Sequence, residues 1–355
     1  MDFQPFLDKQ GIVKMPLPTP FPAGQVNTYL LRRDALTLVD TGLNNDESYD
    51  ELVRQLKEQH LSLRDIEVIL VTHGHRDHMG LLGRLLQETN AKAYGHPHVN
   101  LLGAHDDSIS EQKRDFFSEI LNEFGVPDDV VEVSMSSDRF RRFSDPFQLD
   151  YLLEHDGHTL GFDTYFVPGH SSSDTLFVDE KNGFTICADH LLTNISPNPL
   201  LRVPDKDGPR PKCMIEFQQS LRESRDRDLG ICLPGHGNVF GDHVAVVNRL
   251  LDKHERRSNM VIDHLKNGHT TPYAFPKNCF PDFRTRLSTW DCPSRSGILR
   301  CSNRRADSLH HLAMGCFILV SKRRIRFQNG TICVQRVLNS YYINIVTWGS
   351  VLEAK

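Results

Sequence analysis

The chain has 355 residues, enough to bury one large core and leave a second small domain. A net charge of −5 gives no overall basic bias toward nucleic acid, and no apolar run approaches the roughly 20 residues that a membrane span needs. The opening residues, Met1-Asp2-Phe3-Gln4-Pro5-Phe6, lack a basic stretch leading into an apolar one, so the sequence predicts no secretory signal and a cytoplasmic protein without a membrane partner.

In chain order, Asp46 to His60 reads as a helix, with Leu52, Val53 and Leu56 apolar at helical spacing. Ile66 to Val71 is a β-branched run that reads as a buried strand. Directly after it comes Thr72-His73-Gly74-His75-Arg76-Asp77-His78-Met79-Gly80, which packs four metal-capable side chains into one turn. Neutral imidazole and carboxylate suit divalent zinc, iron or manganese, and a strand end aims such groups at one point. Met79 to Thr89 reads as a second helix, whose N-terminus beside the cluster favours anionic groups.

His96 and His98 read as surface residues or as partners behind the ligands. Ile109 to Glu123 reads as an amphipathic helix through Phe116, Phe117, Ile120, Leu121 and Phe124, and is the candidate segment for substrate selection. Three further strand-like runs each end in a histidine or aspartate. Thr164 to Val167 leads to His170, Phe184 to Cys187 leads to Asp189, and Gly230 to Leu233 leads to His236. Loops at the ends of a rigid sheet commonly carry chemistry, and scattered histidines would not keep this context. His158 reads as a turn residue, and His190 should point away from Asp189. Cys187, Cys213 and Cys232 read as buried free thiols, and the eight cysteines contain no CxxC pair.

The composition shifts near residue 245. Val246 to Lys266 reads as a helix stopped by Gly268, and Arg324 to Val334 alternates around Asn329-Gly330, a strong hairpin signal. Residues 284–310 crowd Arg284, Arg286, Arg295, Arg300, Arg304 and Arg305 without a periodic apolar pattern, which leaves open a basic arm for nucleic acid, a solvated loop or a diverged tail.

Across residues 11 to 250, the order and spacing of HxHxDH, a distant His, an Asp and a last His resemble the metallo-β-lactamase-fold hydrolase superfamily. Asn27 to Leu31 and Leu36 to Gly42 look like its first hairpin and Asp-Thr-Gly turn. The resemblance implies an α/β fold, a four-layer αββα sandwich over 11–245, with a small winged-helix-like domain over 246–340. It implies His73, His75 and His170 on one metal, Asp77, His78 and His236 on the other, and Asp189 bridging them. A bridging carboxylate sets two cations roughly 3.5–4 Å apart around a shared hydroxide whose pKa falls toward about 7, with Asp77 placed to orient it or carry its proton. Zinc is the first expectation for both ions, with iron or manganese suiting the same shell.

His78 together with Asp189, where secreted β-lactamases of this fold often carry cysteine, makes the chain look like the glyoxalase II-like branch. That branch implies a hydrolase of thioesters or small esters similar to hydroxyacylglutathione hydrolases. Two alternatives stay open: an RNA phosphodiesterase that recruits RNA through the C-terminal module, and a binding protein that kept the fold without turnover.

Overall fold

The central strands of this chain are buried on both faces, which is why their sequences read as apolar runs instead of alternating patterns. In the computed structural model all but the last residue of β2 (Val26–Arg32) and every residue of β9 (Thr175–Asp179) and β10 (Phe184–Ala188) are buried. The structure describes residues 2–21, 23–103, 107–128, 131, 144–204, 208–268, 327–328 and 331–332.

One sheet runs in the order β1 (Ile12–Leu17), β2, β3 (Leu36–Val39), β4 (Val68–Leu70), β5 (Lys92–Gly95) and β6 (Tyr151–Leu152). Its pairs are antiparallel from β1 to β3 and parallel from β3 to β6. The other sheet runs β11 (Ile231–Pro234), β10, β9, β8 (Phe162–Phe166), β7 (Gly157–Thr159), antiparallel except for the parallel β10–β11 pair. Parallel neighbours need crossover connections, and helices supply them. Helix α2 (Asp46–Glu58) joins β3 to β4, α3 (Arg76–Met79) and α4 (Leu82–Glu88) join β4 to β5, and α7 (Cys213–Arg225) joins β10 to β11.

Three apolar cores define four layers. Val26 and Leu30 point to one face of β2 and meet Leu52 and Leu56 of α2 and Leu82 and Leu85 of α4. Tyr29 and Leu31, on the opposite face, meet Phe177, Phe184 and Leu233 of the second sheet. Leu176 and Val178 of β9 and Cys232 of β11 face outward onto Phe217 and Leu221 of α7 and onto Val247 and Leu250 of α8 (His243–Lys266). The expected αββα sandwich is thus observed.

The chain divides into two compact units, Met1–Phe116 with Ser137–Leu251, and Phe117–Ser136 with Asp252–Lys355. In the second unit Phe117, Ile120, Leu121 and Phe124 are buried, as their spacing predicted, at the end of α6 (Asp107–Glu123) and just beyond it. Of the predicted hairpin, β12 (Phe327–Gln328) pairs antiparallel with β13 (Thr331–Ile332), while Asn329-Gly330 lie outside the described residues. The rest of the winged-helix-like expectation, and the arginine-rich stretch 284–310, lie outside the described residues. No helix among the described residues is long and apolar enough to cross a membrane.

Several local readings change. The helix expected from Met79 to Thr89 is two helices, because the Leu81 amide donates to the Gly42 carbonyl (3.1 Å) instead of continuing α3. His158 lies in β7 rather than in a turn, and its Nδ1 meets the Asp163 carboxylate across the β7–β8 hairpin (2.7 Å). The last long helix starts at His243, earlier than its apolar pattern suggests, because the Asp242 carboxylate accepts the Ala245 amide (2.9 Å).

Phe217 is fully buried under the second sheet, and a Cβ on Gly169 would lie 2.3 Å from the Phe217 Cβ. Phe217→Ala should therefore cost about 3–5 kcal/mol in urea denaturation, whereas a loss under about 1 kcal/mol would show that α7 is not packed as described.

Candidate metal centre

Where β4 ends, Asp40 at the end of the parallel neighbour β3 takes hold of the chain. Its backbone adopts φ +58°, a left-handed conformation that Asp tolerates better than most residues. Its carboxylate accepts the Thr72 amide (2.9 Å) and hydroxyl (2.8 Å), and also Nδ1 of His78 (2.7 Å). The Thr41 amide and hydroxyl bond the His78 carbonyl at 2.7 and 3.0 Å. One turn after β3 therefore fixes both ends of the His-rich loop.

These outer bonds choose the imidazole tautomers. Thr72 gives its hydroxyl proton to Asp40, so its oxygen accepts from His73 Nδ1 (3.1 Å). His78 Nδ1 donates to Asp40, His170 Nδ1 to the Asn198 carbonyl (2.8 Å), and His236 Nδ1 to the Gln25 carbonyl (2.8 Å). In all four, Nε2 is left with its lone pair facing inward. His75 presents its other nitrogen, Nδ1, 2.9 Å from His73 Nε2.

Asp189 arrives through an irregularity in β10. The β10–β11 register shifts between Ile186 and Ala188, and Ala188 has φ +40°, so the bulge re-aims the residue that follows. The Asp189 Oδ2 lies 3.4 Å from His170 Nε2 and 3.5 Å from His236 Nε2, and Oδ1 lies 3.6 Å from His78 Nε2. Gly235 makes room for this approach: a Cβ there would stand 2.3 Å from Asp189 Oδ1 and 2.6 Å from the His78 ring.

The donor atoms form two groups. Those of His73, His75, His170 and Asp189 lie within 4.8 Å of one another, as do those of Asp77, His78 and His236. Asp77 Oδ2 is 3.4 Å from His236 Nε2. His78 Nε2, His170 Nε2 and Asp189 Oδ1 are buried without a hydrogen-bond partner. Buried polar atoms are rarely left so, and a nitrogen–oxygen donor set converging on one point fits a divalent ion.

Electrostatics agree with that fit. Burial, reinforced by neighbouring imidazoles, holds His73 and His75 well below the ordinary histidine pKa, so both are neutral and ready to donate. Burial opposes charge on His78 and His236 too, but Asp189 and the other carboxylates outweigh it and raise both. His170 is likewise raised against its burial by Asp189 and Asp174. Burial is overcome in the opposite sense at Asp189, which His236 and His78 hold far down, and at Asp77, lowered to about 2 chiefly by His78 and His236. The carboxylates thus stay ionised and draw positive charge into the centre.

All seven predicted positions come together here. Among the described residues, the other histidines do not join them. His190 Nε2 bonds the Ser224 hydroxyl (2.8 Å) on α7, away from the cluster as expected. His96 is buried against Phe166 (ring centroids 4.0 Å apart) instead of lying at the surface, and its Nδ1 accepts the His98 amide (3.0 Å). Cys187, Cys213 and Cys232 are buried free thiols, as predicted.

Sequence reasoning missed the supporting residues. Asp40 had a readable signal, an acid at the end of the strand paired with β4. Ser173, whose hydroxyl accepts the Gly74 amide (2.9 Å) and ties the His170 loop to the His73 loop, had only its place after a ligand. Asn198 and Gln25 act through backbone carbonyls, which no residue identity reveals.

The sequence pattern of the metallo-beta-lactamase superfamily matches residues 21–236. A relative in Bacillus subtilis (strain 168), named "Probable metallo-hydrolase YqjP", is 31% identical over 275 residues, covering 77% of this chain and 86% of its own. Among solved structures, a metallo-beta-lactamase family protein from Thermus thermophilus, TTHA1429, has a TM-score of 0.61 at 23% identity, covering 85% of this chain and 92% of that one. A beta-lactamase domain protein from Burkholderia ambifaria has a TM-score of 0.55 at 21% identity, with 88% and 87% covered. The matched pattern and the Bacillus relative agree with the paired donor groups: the chain belongs to the metallo-beta-lactamase superfamily, and its class of activity is that of a metallo-hydrolase.

Proposed function

We propose that this protein hydrolyses thioesters or small esters at a two-metal centre, with His73, His75 and His170 holding one divalent cation, Asp77, His78 and His236 the other, and Asp189 between them. The observation that carries this reading is the Asp189 carboxylate, 3.4–3.6 Å from imidazole nitrogens of both groups, with Oδ1 lacking any other partner. When bound, two such cations, zinc first and iron or manganese next, lower the pKa of a shared water to about 7 and polarise a carbonyl oxygen.

The chain's own residues supply the rest. Asp40, Thr72, Asn198 and Gln25 fix the ring orientations, so no reorganisation is needed as charge develops. Asp77, ionised throughout the neutral range, lies 3.4 Å from His236 Nε2 and is placed to orient the attacking water and pass its proton to the leaving thiolate. Support for a thioester or small ester, rather than a β-lactam, comes from His78 and Asp189 at positions where the branch resembling glyoxalase II carries the same pair.

Asp189→Ala should lose bound metal, measured by elemental analysis, together with at least ~10³-fold of kcat/KM; retention of both would remove the two-metal reading. Asp40→Asn keeps a residue that tolerates φ +58° but replaces one acceptor oxygen with an amide donor facing His78 or Thr72. It should weaken metal binding by about 10–100-fold with the fold intact by circular dichroism. In a panel of acyl-thioesters, small esters, β-lactams, phosphodiesters and short RNA, thioesters or small esters should turn over fastest. RNA cleavage without thioester or ester turnover would replace this reading with a nuclease.

A further inference from the structure

Asn27 is a buried polar side chain that the donor groups described above do not include. It lies on β2, on the face it shares with Tyr29 and Leu31, which meets the second sheet. Its Nδ2 donates to two carbonyl oxygens at once, those of Pro234 (2.8 Å) and Gly237 (3.0 Å). Its backbone amide donates to a third, that of Gly235 (2.7 Å). Both partners of Nδ2 are acceptors, so the position calls for an uncharged side chain with two N–H protons on one atom. Asn is the shortest that carries them.

These bonds bracket one ligand. His236 stands between Gly235 and Gly237, pairs with Val26 in an isolated antiparallel bridge, and donates from Nδ1 to the Gln25 carbonyl (2.8 Å). The inner side of this turn is closed. A Cβ on Gly235 would lie 2.3 Å from Asp189 Oδ1 and 2.6 Å from the His78 ring, and the Gly235 amide is bonded to the Ala188 carbonyl (2.9 Å). A turn released by Asn27 therefore has room only outward, which draws His236 Nε2 away from Asp77 Oδ2 and Asp189 Oδ2, at 3.4 and 3.5 Å. Metal–ligand distances hold to within about 0.2 Å, so even a small outward shift is felt. Two further donors reach the same carbonyls, the Tyr29 hydroxyl at Pro234 (2.7 Å) and the Lys14 ammonium at Gly237 (2.5 Å). Each of these holds one end of the turn, whereas Asn27 ties both ends to one short amide.

We propose that Asn27 is a positioning residue for the second donor group: it fixes His236 against Asp77 and Asp189, and so sets the affinity for the cation assigned to Asp77, His78 and His236 without changing that for the cation assigned to His73, His75 and His170. This inference rests on the two-metal reading above and adds to it a residue outside the ligand set. Partners that orient a ligand typically contribute about 10–100-fold to metal affinity.

The test titrates metal-depleted full-length protein with zinc in competition with a chromophoric chelator, which gives the successive affinities. Asn27→Leu removes both donated bonds at similar size and leaves Tyr29 and Lys14 on the two carbonyls, so it should fold by circular dichroism. It should bind one of the two zinc ions ~10–100-fold more weakly and the other as tightly as the wild type. Tyr29→Phe and Lys14→Met, which keep Asn27, should keep both affinities even where the melting temperature falls. In a His236→Ala background, Asn27→Leu should weaken zinc binding no further, because the ligand it positions is gone. Asn27→Ser, whose single hydroxyl proton serves one carbonyl, supplies the same comparison if Asn27→Leu does not fold. Unchanged zinc binding in a folded Asn27 variant, an equal loss at both ions, or a loss that adds to that of His236→Ala would each overturn the assignment. Saturation of the wild type at one ion would remove the two-metal reading alone, provided Asn27→Leu still weakens that ion and His236→Ala still abolishes the effect.

Discussion

Asp189 places a buried carboxylate within 3.6 Å of three imidazole nitrogens drawn from three different strand ends, and removing such a charge from water costs several kcal/mol unless positive charge is brought to it. Much of the surrounding structure answers that constraint. His78, His170 and His236 are pulled toward the charged form against their own burial, which is the response expected where cations belong. Aliphatic packing cannot supply that charge. A divalent ion at each donor group, as proposed above, would supply it through side chains that the fold has already oriented.

The orientation comes from the sandwich. Its two sheets meet through a core of Tyr29, Phe177, Phe184 and Leu233, and the four ligand-bearing segments follow β4, β8, β10 and β11. Two of the five non-glycine residues with positive φ among the described residues stand at the same place. Asp40 and Ala188, both with positive φ, stand at the turn that holds His78 and Thr72 and at the bulge that aims Asp189. A relaxed strand end would present a different face there. Strain of order 1–3 kcal/mol per residue is tolerable because the packed sheets on either side over-determine the conformation.

The metal centre was legible from sequence because its chemistry lies in residue types that have few other reasons to recur at successive strand ends. His73, His75, Asp77, His78, His170, Asp189 and His236 could each be named before the fold brought them together. What could not be read was geometry carried by the backbone. The carbonyls of Asn198 and Gln25, the bulge before Asp189 and the donation of the Leu81 amide to Gly42, which splits one expected helix into two, depend on tertiary approach rather than on side-chain identity. His96 shows the converse limit, since a histidine beside a proline near a metal motif reads as a surface residue or as a partner behind the ligands until Phe166 is seen to cover it.

The central claim is that two cations share one carboxylate. Titration of metal-depleted protein with zinc, followed by X-ray absorption on the fully loaded sample, tests it directly. The account predicts saturation at two ions per chain with metal–metal scattering near roughly 3.5–4 Å. Saturation at one ion, or two ions without that scattering path, would contradict it.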